Sequence, residues 1–159
     1  MVKRPTPVRQ AIKQTRPFPS RRAEALVGLL VTVDAIRRYL SRLLEGYGIT
    51  LQQYNVLRIL RGAGPDGLPT LEIAERMIER TPGITRLLDR LERKRLVRRE
   101  RCPTDRRQVT CRITEAGLAL LARLDAPIAE ADERALGGLS EAEVKRLSRM
   151  LDRVRSELG

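Results

Sequence analysis

Three arginines, Arg86, Arg90 and Arg93, recur at steps of four and three behind Thr81 and Thr85. A second cluster, Asp105-Arg106-Arg107, follows a short way on. A guanidinium presents a planar fork of donors that fits phosphate oxygens and base edges, and a threonine hydroxyl can meet either. This is recognition chemistry, directed at a polyanion. The residues for bond-making chemistry are missing. The 159-residue chain has no histidine, so Ser-His and Cys-His nucleophiles, histidine acid–base steps and histidine metal ligation are all excluded. Its two cysteines, Cys102 and Cys111, are too few for a Cys-only zinc site or a disulfide framework. No catalytic residue, metal ligand or cofactor site is expected. Aromatics are 3% of the chain (Phe18, Tyr39, Tyr47 and Tyr54), too few for a reader that stacks on unpaired bases.

The charge is unevenly placed. The net +12 resolves into a basic stretch over residues 1–22, with seven basic and no acidic side chains, and a block over 76–112 with 13 basic and 5 acidic. The remainder is slightly acidic, with 12 basic and 15 acidic residues. Arginine outnumbers lysine 28 to 4, a bias that weakens any argument from one arginine but not one from their placement. A tail and one internal block therefore carry the excess, as expected of a nucleic-acid-binding chain. No run of 18 apolar residues exists to span a membrane, and no apolar segment follows the N-terminal charges to make a signal peptide. A cytoplasmic, nucleoid-associated location is the expectation.

The elements that must hold these residues can be read from periodicity and caps. Residues 1–20 contain Pro5, Pro7, Pro17 and Pro19 and should be extended or loosely ordered, with room for a short turn between prolines. Such a basic arm could track phosphates or a minor groove, or hang free. From about Arg21 to Glu45, Leu26, Leu30, Val33, Leu40 and Leu44 form a helical seam that stops at Gly46 and Gly48. Thr50-Leu51-Gln52-Gln53 is a capping box for a helix that ends near Gly62, and residues 62–67 read as a loop. Thr70 can cap a short helix through about Met77. Thr81-Pro82 then reads as an N-cap followed by a first-turn proline, opening a helix whose Ile84, Leu87, Leu88 and Leu91 form a core stripe. Asp89 and Arg93 stand at i, i+4 and could pair. Two short helices with a basic outer face on the second make a helix-turn-helix.

After Leu96 the period changes to two. Residues 97–101 and 108–113 alternate as strands, with Val109, Cys111 and Ile113 on one face and a turn-rich, basic tip between them. That hairpin is a wing. Cys102 and Cys111 stand across it, so a redox switch competes with an inward, inert Cys111. Thr114-Glu115 begins a helix along Leu118, Leu121 and Leu124, with Pro127 inside it or at a bend. Ser140-Glu141-Ala142-Glu143 caps a last helix with Val144, Leu147, Leu151, Val154 and Leu158 at heptad-like spacing. The fold class is mainly α with a small β-hairpin wing: a winged helix-turn-helix over 49–115, and a helical dimerisation region from 21–48 and 116–159.

The ordered segments Ile49-Thr50-Leu51-Gln52-Gln53-Tyr54-Asn55-Val56-Leu57, Leu71-Glu72-Ile73-Ala74-Glu75-Arg76, Ile84-Thr85-Arg86-Leu87-Leu88-Asp89-Arg90-Leu91-Glu92, Leu96-Val97-Arg98-Arg99, Asp105-Arg106-Arg107 and Ile113-Thr114-Glu115-Ala116-Gly117 resemble winged-helix regulators of the multiple-antibiotic-resistance (MarR) type. Residues 1–20 and the Thr81-Pro82-Gly83 entry to the recognition helix depart from the usual pattern. The resemblance implies a homodimeric regulator of transcription, usually a repressor, that docks one winged helix on each half of a pseudo-palindromic site in double-stranded DNA. It assigns Thr81, Thr85, Arg86, Arg90 and Arg93 to the recognition helix. At the wing, it implies that Asp105 braces Arg107 for the minor groove, although Arg106 could equally be the phosphate contact. It also implies a small phenolic or aromatic effector, for which Tyr39, Tyr47 and Tyr54 are the candidate lining. Two other readings of the same elements are a sequence-tolerant architectural DNA binder and a winged-helix protein–protein adaptor.

Overall fold

In the computed structural model, residues 7–79, 83–101 and 109–159 are described. They form α1 (Val8–Ala11), α2 (Arg21–Glu45), α3 (Leu51–Ala63), β1 (Leu68–Pro69), α4 (Thr70–Arg76), α5 (Ile84–Arg93), β2 (Val97–Arg101), β3 (Val109–Ile113), α6 (Glu115–Leu136) and α7 (Glu141–Ser156). None of the described helices is long and apolar enough to cross a membrane.

Local chemistry accounts for most boundaries. The Ser20 hydroxyl accepts the Ala23 amide at the start of α2, and Gly48, at φ 73°, turns the chain away at its end. At Thr50 the expected capping box forms. The Gln53 amide donates to the Thr50 hydroxyl at 3.2 Å and the Thr50 amide donates to Gln53 Oε1 at 3.1 Å. Ser140 and Glu143 repeat the device at α7, and hydrogen bonds from the Ser140 hydroxyl and amide hold the Glu143 carboxyl below its ordinary pKa. Thr114 opens α6 by accepting the Gly117 amide at 3.1 Å while donating to the Arg95 carbonyl at 2.8 Å. Pro127 lies inside α6.

Two starts differ from expectation. α4 begins at Thr70 itself, with Pro69 in the cap position, and the Thr70 hydroxyl reaches instead toward the Val109 carbonyl, 3.4 Å away. α5 begins at Ile84 behind Gly83, which sits at φ 98° in the left-handed region and makes no side-chain cap. Thr81 is therefore not the cap of α5. Thr81 and Pro82 themselves lie outside the described residues, as does the segment 102–108 at the wing.

The sheet holds one strand more than the expected hairpin. β2 and β3 pair antiparallel from Val97 opposite Ile113 to Arg101 opposite Val109. β1 adds to the other edge of β3, Leu68 opposite Cys111 and Pro69 opposite Thr110, giving the order β1-β3-β2. Two residues are too few to show alternation, so β1 was unreadable beforehand. Gly67 leads into it at φ 69°, and a Cβ there would collide with the Cys111 carbonyl oxygen and the Arg112 side chain. Only glycine fits that turn.

The chain divides into two compact units. One comprises α2 from Arg37, the winged helix and α6 as far as Pro127, wider at both ends than the expected 49–115. The reason is packing: Leu44 of α2 and Leu121 and Leu124 of α6 are fully buried, as are Leu57, Leu60, Ile73, Leu88 and Leu91. Burying each such leucine contributes roughly 1.5–3 kcal/mol. A bidentate pair also joins α3 to α6 here, with Arg61 Nη1 and Nη2 each 2.9 Å from an Asp125 oxygen. The Arg61 hydrogen bonds hold the Asp125 carboxyl below its ordinary pKa.

The other unit holds α1, α2 up to Ile36 and the chain from Ile128 onward. Part of the expected loose arm is ordered. The Arg9 guanidinium folds back onto the Thr15 and Gln14 carbonyls at 2.6 and 3.3 Å, and the Val8 side chain packs about a van der Waals contact from where a Cβ on Gly28 would sit. In contrast, the N-terminal part of the expected α2 seam and the C-terminal end of the α7 seam remain uncovered in the single chain, while Leu40, Val144, Leu147 and Leu151 are half-buried. Leu26, Leu30 and Val33 on α2, Val154 on α7 and Leu158 just beyond it are exposed, as is Met150 of α7, outside the expected seam.

Candidate nucleic-acid interface

Helix α5 carries the site. Leu87, Leu88 and Leu91 fix one side into the core, which forces Arg86, Arg90 and Arg93 onto the opposite side, where all three are exposed, with Thr85 exposed at the flank. The stripe is cationic and uncovered over about two turns. Arg93 does not pair with the Asp89 carboxylate, as the i, i+4 spacing had suggested; its Nε instead meets the Asp89 backbone carbonyl at 3.4 Å. The Asp89 carboxylate is taken by Arg99 Nη2 from strand β2, at 2.6 Å.

Three further contacts hold α5 and its approach in place, and none was anticipated. Glu92 receives three hydrogen bonds from Arg99: from its amide at 3.1 Å, Nε at 3.0 Å and Nη2 at 2.6 Å. These bonds hold the Glu92 carboxyl below its ordinary pKa. At the end of α5, the Lys94 ammonium donates to the Gly48 carbonyl and lies 3.4 Å from Gln53 Oε1, joining it to the α2–α3 junction. The Asn55 side-chain carbonyl accepts the Ile78 amide at 2.9 Å, pinning the segment that follows α4 to α3. Each joins residues far apart in the chain or on different element types, so no spacing rule points to them.

The wing base is ordered by charge. Arg112 Nη1 donates to the Pro65 carbonyl at 2.7 Å, and its Nε, buried without a hydrogen-bond partner, lies 3.4 Å from Glu100 Oε2. Asp105, Arg106 and Arg107, expected at the tip, lie outside the described residues, as does Cys102. Cys111 is fully buried on the inward face of β3, and burial pushes its thiol up to about 12. A thiol held protonated is a poor nucleophile.

Tyr47 and Tyr54 each meet an arginine. Tyr47 lies under the Arg123 guanidinium of α6, 5.6 Å from the ring centre. Tyr54 is paired with Arg58 one turn along α3, whose Nη1 donates to the phenol oxygen at 2.9 Å and whose guanidinium carbon lies 5.8 Å from the ring centre. Tyr39 is half-buried on α2.

A helix-turn-helix with an exposed arginine stripe, followed directly by an antiparallel wing, defines a winged helix-turn-helix regulator. Known proteins give the same answer. The sequence model of the MarR family matches residues 47–108. The HTH-type transcriptional regulator MhqR of Bacillus subtilis (strain 168) is 31% identical over 120 residues, which cover 76% of this chain and 81% of the relative. The crystal structure of a MarR transcription factor from Planctomyces limnophilus is similar at 40% identity and a TM-score of 0.68, covering 86% of this chain and 98% of that one. The S. aureus MepR–DNA complex is similar at 27% identity and a TM-score of 0.75, covering 81% and 94%. The chain belongs to the MarR family of transcriptional regulators.

Proposed function

We infer that this chain is a sequence-specific binder of double-stranded DNA that represses transcription as a homodimer on a pseudo-palindromic operator. One observation carries the reading: Arg86, Arg90 and Arg93 form an exposed stripe on the helix that a helix-turn-helix presents to the major groove. Thr85 and Arg86, in its first turn, are assigned to base edges or adjacent phosphates, and Arg90 and Arg93 to the backbone. Thr81 is assigned to the same contact from just before the helix. Arg107, braced by Asp105, is assigned to the minor groove beside it, with Arg106 on phosphate. The likeness to a MepR–DNA complex supports this reading.

The uncovered Leu26, Leu30 and Val33 of α2 and Val154 of α7 favour the dimer, because exposed apolar residues at helical spacing are the natural face for a second copy. Two heads about one DNA turn apart then read an inverted repeat, predicted at about 16–20 bp. A small phenolic or aromatic effector, taken near Tyr39, Tyr47 and Tyr54, would release the DNA by favouring a different separation of the heads. A 100-fold preference for that arrangement supplies about 2.7 kcal/mol of coupling. The chain is read as non-catalytic and cytoplasmic, at the nucleoid.

The test is selection of genomic DNA fragments by the purified protein at two salt concentrations. An inverted repeat with strong preference over random duplex bears the reading out. Binding without sequence preference makes the protein an architectural coater, and no binding makes the winged helix a protein adaptor.

A further inference from the structure

The acidic residues of α5 occupy one edge of the helix, between the buried leucines and the arginine stripe. Asp89 and Glu92 stand there, and both turn to a single partner, Arg99. Arg99 lies in the middle of β2, opposite Cys111 on β3, and its side chain is only 23% exposed. Nε and Nη2 go to Glu92 and Nη2 also to Asp89, while its own amide goes to the second Glu92 oxygen. With Nε and Nη2 on carboxylates, that edge of the guanidinium is committed to α5. Strand β2 is the first strand of the wing.

We propose that Arg99 is a positioning residue for operator recognition: clamped by Glu92 and Asp89, it fixes strand β2, and through it the wing, at one bearing to the recognition helix. The proposal rests on the reading of α5 and the wing as the DNA-contacting parts. Its physical basis is the geometry of the two contacts. A helix in the major groove and a wing in the neighbouring minor groove meet the same duplex only at one relative setting, and small misplacements lose both sets of contacts. Besides the clamp, strand and helix are joined by the short turn at 94–96 and by the burial of Leu96 and Val97 at the start of β2. The charged clamp adds a further attachment half-way along the strand. Planar, multidentate contacts resist rotation in a way that one point charge does not. Glu92 is held ionised by this contact, so the clamp is present throughout the neutral range.

The experiment uses the full chain and two duplexes: the operator recovered by the selection above, and a scrambled duplex of equal composition. Affinities are measured over a series of salt concentrations for the unmutated protein and for Arg99→Met, Glu92→Gln and the double variant, with melting curves for each. Arg99→Met is expected to lose roughly tenfold or more in operator affinity beyond any loss on scrambled duplex, with the salt slope on operator kept. Glu92→Gln, which retains an acceptor for the Arg99 amide, is expected to show the same selective loss. It decides the matter if Arg99→Met does not fold. The double variant should lose no more than the worse single one, because the two side chains act through one contact. Equal losses on both duplexes with a salt slope lower by about 1 would make Arg99 a phosphate contact and overturn the proposal. So would additive losses, or operator affinity unaltered in both single variants. Failure of the underlying reading is visible separately, as an absence of operator preference in the unmutated protein.

Discussion

The side-chain carbonyl of Asn55 on α3 accepts the backbone amide of Ile78 at 2.9 Å. It joins the helix that anchors the core to the segment that delivers the chain into α5. Asn55→Ala leaves that amide to water and removes the anchor. The variant is expected to lose about 1 kcal/mol of stability, read from the midpoint of urea unfolding. Its DNA affinity should fall by more than its stability, since the unpinned segment enters the recognition helix.

Leu88 is fully buried and lies beneath the arginine stripe. Leu88→Ala is expected to cost about 2–5 kcal/mol, depending on how far the site collapses around the missing atoms. Urea unfolding should show a lower midpoint at unchanged slope.

Arg86 is exposed in the first turns of α5. If it reads a base edge, Arg86→Ala costs about 1–3 kcal/mol on operator DNA and relaxes preference at one position of each half-site. Arg93→Ala, assigned to the backbone, should weaken binding similarly on all duplexes and reduce the salt slope by about 1. Fluorescence titration over a salt series separates the two.

The depressed pKa of Glu92, caused first by its hydrogen bond from Arg99, makes the clamp pH-dependent. For a carboxyl whose folded pKa lies below its unfolded one, the contribution to stability is complete above the unfolded value. It is lost as pH falls through the folded one. The melting-temperature advantage of the unmutated protein over Glu92→Gln is therefore expected to hold steady from pH 7 to about pH 5, and to vanish in stronger acid. An advantage that persists to the acid end of the series would contradict this.

Cys111 has its thiol pushed up to about 12 by burial. In a Cys102→Ser protein, a disulfide-exchange reagent at pH 8 should leave Cys111 unmodified until denaturant is added. Rapid labelling of the folded protein would favour the redox reading.

What could be read from the chain in advance is what local chemistry decides. The Thr50 and Ser140 capping boxes, the leucine stripe of α5 and the inward face of β3 each follow from residues a few positions apart, and each is present. The same stripe implies that Arg86, Arg90 and Arg93 face outward. Contacts between distant or unlike elements were invisible. No periodicity joins Arg61 to Asp125, and Arg99 looked like one more basic residue of a wing rather than the partner of two acids on the preceding helix. Thr81 misled because a threonine before a proline is a common helix start, whereas the left-handed Gly83 takes the cap position. The arm was read from its prolines alone. That left no way to foresee Arg9 closing a turn on the Gln14 and Thr15 carbonyls, or Val8 packing beside Gly28.

Gly67 has a consequence for how this fold can change. A substitution there meets two separate obstacles, a left-handed backbone and the carbonyl oxygen of the neighbouring strand, and a single compensating mutation can remove at most the side-chain part of one of them. In a saturation library selected for folded protein, the exposed surface of α5 should accept many amino acids, since it is shaped by the ligand. Position 67 should return glycine alone. The constraint at this position comes from inside the fold: it is the point where the sheet edge closes.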